Sequence, residues 1–89
     1  MLMFGGRMDW HSEDVKAAIR KRGATLTALA KANGISVQAL SRAIFERSSA
    51  RAEIIIAEFL GVHPMKIWPS RYDADGARLS RLEIEQVAA

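Results

Sequence analysis

Gln38 and Arg42 stand one helical turn apart in the run VQALSRAIF, residues 37–45. An amide and a guanidinium at that spacing suit the recognition of base edges. An amide pairs bidentately with adenine and a guanidinium with guanine along the major-groove edge of a duplex. On a wheel of about 100° per residue with Val37 at the origin, Leu40, Ala43 and Ile44 share one arc, and Gln38 and Arg42 lie opposite. Ala39 and Ser41 flank the polar pair and are small, so the helix backbone can sit deep in a groove.

A helix that reads must be held by another. The run before it, TLTALAKANGIS, reads as a second helix over about 26–33 that stops at Asn33-Gly34, with no room for a loop. Thr25 is its predicted N-cap, Leu29 and Ala30 face inward, and Gly34 supplies the left-handed stop. Ser36 caps the next helix, 37–46. Ala30, Gly34, Ile35 and Leu40 follow the spacing of a helix-turn-helix, with alanine where two helices touch most closely and glycine where φ is positive. Such a turn lets one helix project while its neighbour braces it, with the N-terminus of the brace towards phosphate. An ordinary packed pair with a glycine C-cap is the plainer account of the same residues.

Helical patterns cover the rest, so the fold class is all-α. Residues 12–22 form a first helix with Ser12 as cap, Glu13 and Asp14 at its start, and Val15, Ala18 and Ile19 as an apolar stripe. Residues 50–60 form a fourth, apolar nearly all round at EIIIAEFL and so buried on most sides, in a small core or partly at a subunit interface. HPMKIWP reads as a short fifth helix with Pro64 at its first position and Pro69 as its stop. Residues 1–8 read as a flexible extension and 9–72 as the domain. In the tail, 73–89, DADGA is a linker, and 78–87 is a candidate extra helix with Leu79, Leu82 and Val87 on one side and an Arg81–Glu85 pair.

The 89 residues suit one domain, and 49% apolar content excludes a disordered chain. There is no cysteine, so no disulfide framework or thiolate metal site. No run approaches the roughly 20 apolar residues of a membrane span. Charge is uneven. Residues 1–52 hold nine Lys and Arg against four acids, a net of +5, and residues 53–89 hold four bases and six acids, a net of −2. A basic half suits a polyanion partner, and a solvated basic surface is the bland alternative.

Other residues carry two readings each. Arg20, Lys21 and Arg22 crowd the end of the first helix, where they complement its dipole or reach phosphate. Arg71 and Tyr72 reach phosphate or form a surface turn. Trp68 reads as a core plug rather than a stacking platform for bases. His11 and His63 are too few for a zinc site without carboxylates and read as caps or loop residues. Asp9-Trp10-His11 resembles part of a catalytic set only superficially. No nucleophile sits on a strained turn and no carboxylates pair in a cleft, so no enzyme is expected.

The segments DWHSEDV, GISVQALSRAI and VHPMKIWPSRY resemble the Ner family of small bacterial and phage regulators, from about Asp9 to Tyr72. The resemblance implies a compact five-helix, λ-repressor-like domain that regulates transcription and binds duplex DNA as a homodimer on a palindromic operator. It places Val37, Gln38 and Arg42 at base edges, with Val37 towards a thymine methyl, and Thr25, Thr27 and Ser36 near phosphates. Ser41, Arg20, Lys21, Arg22 and Arg71 complete the expected backbone contacts. Leu26 departs from the pattern, since repressors of the wider class often carry a phosphate-touching glutamine there. The entry to the fourth helix, SSARAE, departs as well. No cofactor, metal or small-molecule ligand is expected, and the location is the cytoplasm, at the nucleoid. The alternative from another class is a protein-interaction module, adaptor or antitoxin-like, using the same helical surface.

Overall fold

The structure is a computed structural model that describes residues 8–46 and 48–79. Among the described residues five α-helices follow one another: α1 Ser12–Lys21, α2 Leu26–Ala32, α3 Val37–Phe45, α4 Ala50–Leu60 and α5 Pro64–Ile67, with a 3₁₀ turn at Pro69–Arg71. No strand occurs among the described residues, only an isolated antiparallel bridge between Tyr72 and Arg78. The all-α class expected from the sequence is the observed one.

Each α-helix begins on a side-chain cap that satisfies an otherwise orphaned N–H. Thr25, Ser36 and Ser49 accept from Ala28, Ala39 and Ala52 at 3.0, 3.1 and 3.1 Å. α1 differs from expectation by one residue: His11, not Ser12, is the cap, its Nδ1 accepting from the Glu13 N–H at 3.0 Å. His63 caps α5 in the same way through the Met65 N–H, with Pro64 at the first position. Both histidines are therefore caps. Pro69 does not merely stop α5; it opens the 3₁₀ turn that follows.

α2 ends as the glycine predicts. Gly34 has φ +70° and donates to Lys31 O at 3.3 Å, while Ile35 donates to Ala30 O at 3.1 Å. These two bonds close a Schellman motif and turn the chain directly into α3. An added Cβ on Gly34 would meet nothing within 4 Å, so a substitution there acts on backbone strain alone. Gly34→Ala is expected to cost about 1–2 kcal/mol. Gly34→Asn should cost less, because Asn tolerates the left-handed region; urea melts of the two variants give the comparison.

Val15, Ile19, Leu29, Ala30, Leu40, Ala43, Ile44, Ile56 and Ile67 fill the core. Trp68 plugs it at 1% exposure. α4 is central, with Ala52, Glu53, Ile55, Ile56, Ala57 and Leu60 all buried.

The two ends of the domain are tied. Asp9 accepts from the Ser70 N–H at 3.0 Å and the Ser70 hydroxyl at 2.7 Å, and the Trp10 N–H donates to Ile67 O at 2.8 Å. The first and last of the segments that carry the family resemblance therefore bind each other.

Residues 73–77 are not a linker. The Asp73 carboxylate accepts from the Asp75 and Ala77 N–H groups, both at 2.9 Å, and Asp73 N donates to Ala77 O at 2.8 Å. This turn folds the chain back, so that Leu79 N donates to Arg71 O at 2.9 Å instead of lying in a helix. A domain boundary after Tyr72 would cut this folded-back segment. The remainder of the expected terminal helix, with Leu82, Val87 and the Arg81–Glu85 pair, lies outside the described residues.

Candidate nucleic-acid interface

α3 presents two chemically distinct sides because its apolar residues recur with the helical period. Leu40, Ala43 and Ile44 are sealed in the core at 0–3% exposure. Gln38 and Arg42 are exposed on the opposite side. Val37 is half-buried and packs against the margin of the core, so it presents only part of its surface. Ser41 is half-buried beside the polar pair. Ser36 spends an oxygen lone pair on its cap and keeps its hydroxyl proton for an acceptor. Thr25 and Thr27 are exposed at the start of α2.

Leu26 does not reach outwards. It is half-buried against the core. With Lys16, Ile19, Arg20 and Thr25 it lines a cleft of about 200 Å³ between α1 and the start of α2. The polar groups nearest the position where a glutamine is common are thus Lys16, Arg20 and Thr25.

The basic triplet at the end of α1 divides. Arg20 and Lys21 are exposed. Arg22 is exposed as well, but its guanidinium donates to Leu60 O at 3.1 Å, satisfying a carbonyl at the end of α4.

Arg71 is placed differently from the expected surface turn. It is 5% exposed, donates to Ala43 O at 2.7 Å and pairs with Glu53 at 3.2 Å. Its guanidinium also lies 4.7 Å over the Trp68 ring. Glu53 is fully buried and accepts from the Tyr72 hydroxyl at 2.7 Å and from Arg78 at 3.1 Å on each oxygen. Burial pushes the Glu53 carboxyl up, but the bonds from Arg78 and Tyr72 and the charges of Arg78 and Arg71 outweigh it and hold it below its ordinary value. Burial lowers the Arg71 guanidinium against the pull of Glu53. Burial and the bond to Glu53 raise Tyr72. Arg71 therefore acts on α3 from within, donating to the Ala43 carbonyl in its last turn.

Two features of the outer face are absent from the reading of Gln38 and Arg42 alone. Glu46 accepts from Arg42 Nε across one turn, and this bond raises the guanidinium's pKa further. The i, i+4 spacing was enough to find it. Phe45 is 60% exposed on the same side, with the Lys16 ammonium 4.9 Å from its ring centroid. The period that places Gln38 and Arg42 also places Phe45 next to Gln38 on the wheel, about 20° away, at the far end of the helix.

Residues 9–84 match the family described as winged helix-turn-helix DNA-binding. Over 66 residues the chain is 46% identical to the "Negative regulator of transcription" of Escherichia phage D108, covering 74% of this chain and 89% of that protein. It is 43% identical over 65 residues to "Sugar fermentation stimulation protein B" of Escherichia coli, 73% of this chain and 70% of that one. It is 34% identical over 64 residues to "Mu-like prophage FluMu DNA-binding protein Ner" of Haemophilus influenzae, 72% and 71% of the two chains.

Proposed function

The chain belongs to the winged helix-turn-helix DNA-binding family that includes the Ner regulators, and from that premise we propose that it is a sequence-specific transcriptional regulator reading the major groove of duplex DNA with α3. The observation that carries this is the reading face itself. Gln38 and Arg42 stand exposed one turn apart on a helix whose other side is sealed in the core. That side is anchored, so the polar pair can enter a groove without loss of packing. Arg20 and Lys21 supply charge to phosphates, and Thr25, Thr27, Ser36 and Ser41 supply hydroxyl donors. Arg71 leaves the set, since it is buried inside the domain, and Arg22 is exposed but already holds the Leu60 carbonyl. The function is binding rather than catalysis, and its place is the nucleoid, in the cytoplasm.

Two copies on adjacent major grooves require half-sites about 10 base pairs apart, or a multiple of that, and hence a palindromic operator. Selection from a random duplex pool measures both. The expected result is a two-fold symmetric consensus with that spacing, and an enriched pool without symmetry would leave the dimer reading without support.

The wider test is salt. Each phosphate neutralised contributes about −0.9 to the slope of log affinity against log salt. If a bound pair of chains meets about six phosphates, affinity should fall about a thousandfold between 50 and 200 mM salt. Fluorescence anisotropy on an arbitrary duplex reads this directly, and a flat response would sink the DNA reading.

Exposed Phe45 favours one second reading, a protein-interaction module anchored at the end of α3. On that reading binding to the partner survives salt and is lost in Phe45→Ala.

A further inference from the structure

The Arg42–Glu46 pair is exposed at both members, with the two side chains 71% and 53% accessible. As a stabilising contact it has little purpose. Exposed i, i+4 pairs contribute little to stability, and an Arg preceding a Glu runs against the favoured order along the helix. Its geometry has a stronger consequence at the reading face. Glu46 is the C-cap of α3, and its N–H donates to Arg42 O at 2.9 Å. Residues 42 and 46 are thus linked twice, by backbone and by side chain.

A guanidinium offers two bidentate edges. One uses Nε and the neighbouring Nη, and the other uses both Nη groups end-on. The Glu46 carboxylate occupies Nε. The end-on edge is left for guanine O6 and N7. An arginine without that partner sweeps many rotamers and meets any phosphate within reach. One held by a carboxylate loses less freedom on binding a base. The carboxylate also repels the phosphate backbone, which disfavours every register except the one in which Arg42 finds its base.

We propose that Glu46 is a specificity-determining positioning residue, which holds Arg42 for end-on recognition of a guanine and discourages its use as a general phosphate contact. This rests on the DNA-reading function proposed for α3, and goes beyond it by assigning selectivity to an acidic residue at the end of that helix.

The test compares wild type, Glu46→Gln, Glu46→Ala, Arg42→Ala and the two double variants. Each is titrated at one salt concentration against the duplex enriched by selection, against the same duplex with the Arg42-dependent base pair changed, and against a scrambled duplex. The Arg42-dependent pair is the one at which Arg42→Ala relaxes preference. Glu46→Gln keeps the shape of the side chain, and melting curves confirm that each variant is folded. The expected result is tighter binding to the scrambled duplex and a loss of about tenfold in preference at the Arg42-dependent pair, a part of what one bidentate contact discriminates. In the Arg42→Ala background the same replacements should leave preference unchanged. An equal change on all three duplexes would make Glu46 a source of charge alone and overturn the proposal. So would an undiminished preference, or a loss that persists without Arg42. If wild type itself shows neither salt-dependent binding nor an enriched sequence, the DNA reading fails and carries this inference with it. Specific binding by wild type with full preference in Glu46→Ala removes this inference alone.

Discussion

Replacing Glu53 with alanine should destabilise the domain by about 3–5 kcal/mol, the cost of breaking a buried ion pair from one side. The substitution strands Arg71 at 5% exposure, leaves the Tyr72 hydroxyl without its acceptor and frees Arg78 from the folded-back tail. Small domains have only about 5–15 kcal/mol to lose. Glu53→Gln keeps an acceptor for Tyr72 but removes the charge, and should fall between wild type and alanine.

Acid should mimic the substitution in part. The Glu53 carboxyl titrates below its ordinary value in the folded protein. A group depressed on folding stabilises the fold above its unfolded pKa, and that contribution is lost as pH falls through the folded one. Wild type should therefore lose stability as pH drops below about 4, the ordinary carboxylate range, by an amount absent from Glu53→Gln. Urea melts across pH 2–7 on both proteins measure the difference, and parallel curves would mean that the carboxylate carries no such load. Truncation after Asp75 should also destabilise the domain, since it removes Arg78 from Glu53.

Opposite sides of α3 should respond in opposite ways, and this is the second large effect. Leu40 is fully buried, so Leu40→Ala should cost about 2–5 kcal/mol as a cavity opens. Gln38→Ala and Arg42→Ala should move stability by no more than about 0.5 kcal/mol. Each should instead cost about 1–3 kcal/mol of specific binding and relax preference at one base pair per half-site. Thermal melts and anisotropy on the selected duplex give the two readouts. If either polar variant weakens all duplexes equally, that residue touches phosphate only. If neither changes binding, α3 is not the reading helix, and the surface around Arg20 and Lys21 takes its place.

The sequence by itself determined the helices, the abrupt turn and the two sides of α3. Those features are local. A cap meets an N–H two or three residues away, as Ser36 does at Ala39, and a Schellman turn closes within six residues, as it does around Gly34. The period of Leu40, Ala43 and Ile44 fixes the inner face, and Gln38 and Arg42 follow on the outer one. The family resemblance likewise lay in short runs.

The tertiary structure alone decided which charges remain for a partner. Arg22 meets the carbonyl of Leu60, 38 residues on. Asp9 meets Ser70 across 61 residues, and Glu53 meets Arg71 and Arg78 across 18 and 25. In EIIIAEFL, Glu53 opens an apolar run, and no rule of periodicity buries a carboxylate there. Burial became possible only when packing brought two guanidiniums and a phenol to its oxygens, since an uncompensated charge would not enter the core. The same packing withdrew Arg71 from the surface and turned DADGA back onto the domain. Periodicity shows which side of a helix avoids water, but the partner of a charged group is set by where distant parts of the chain come to rest.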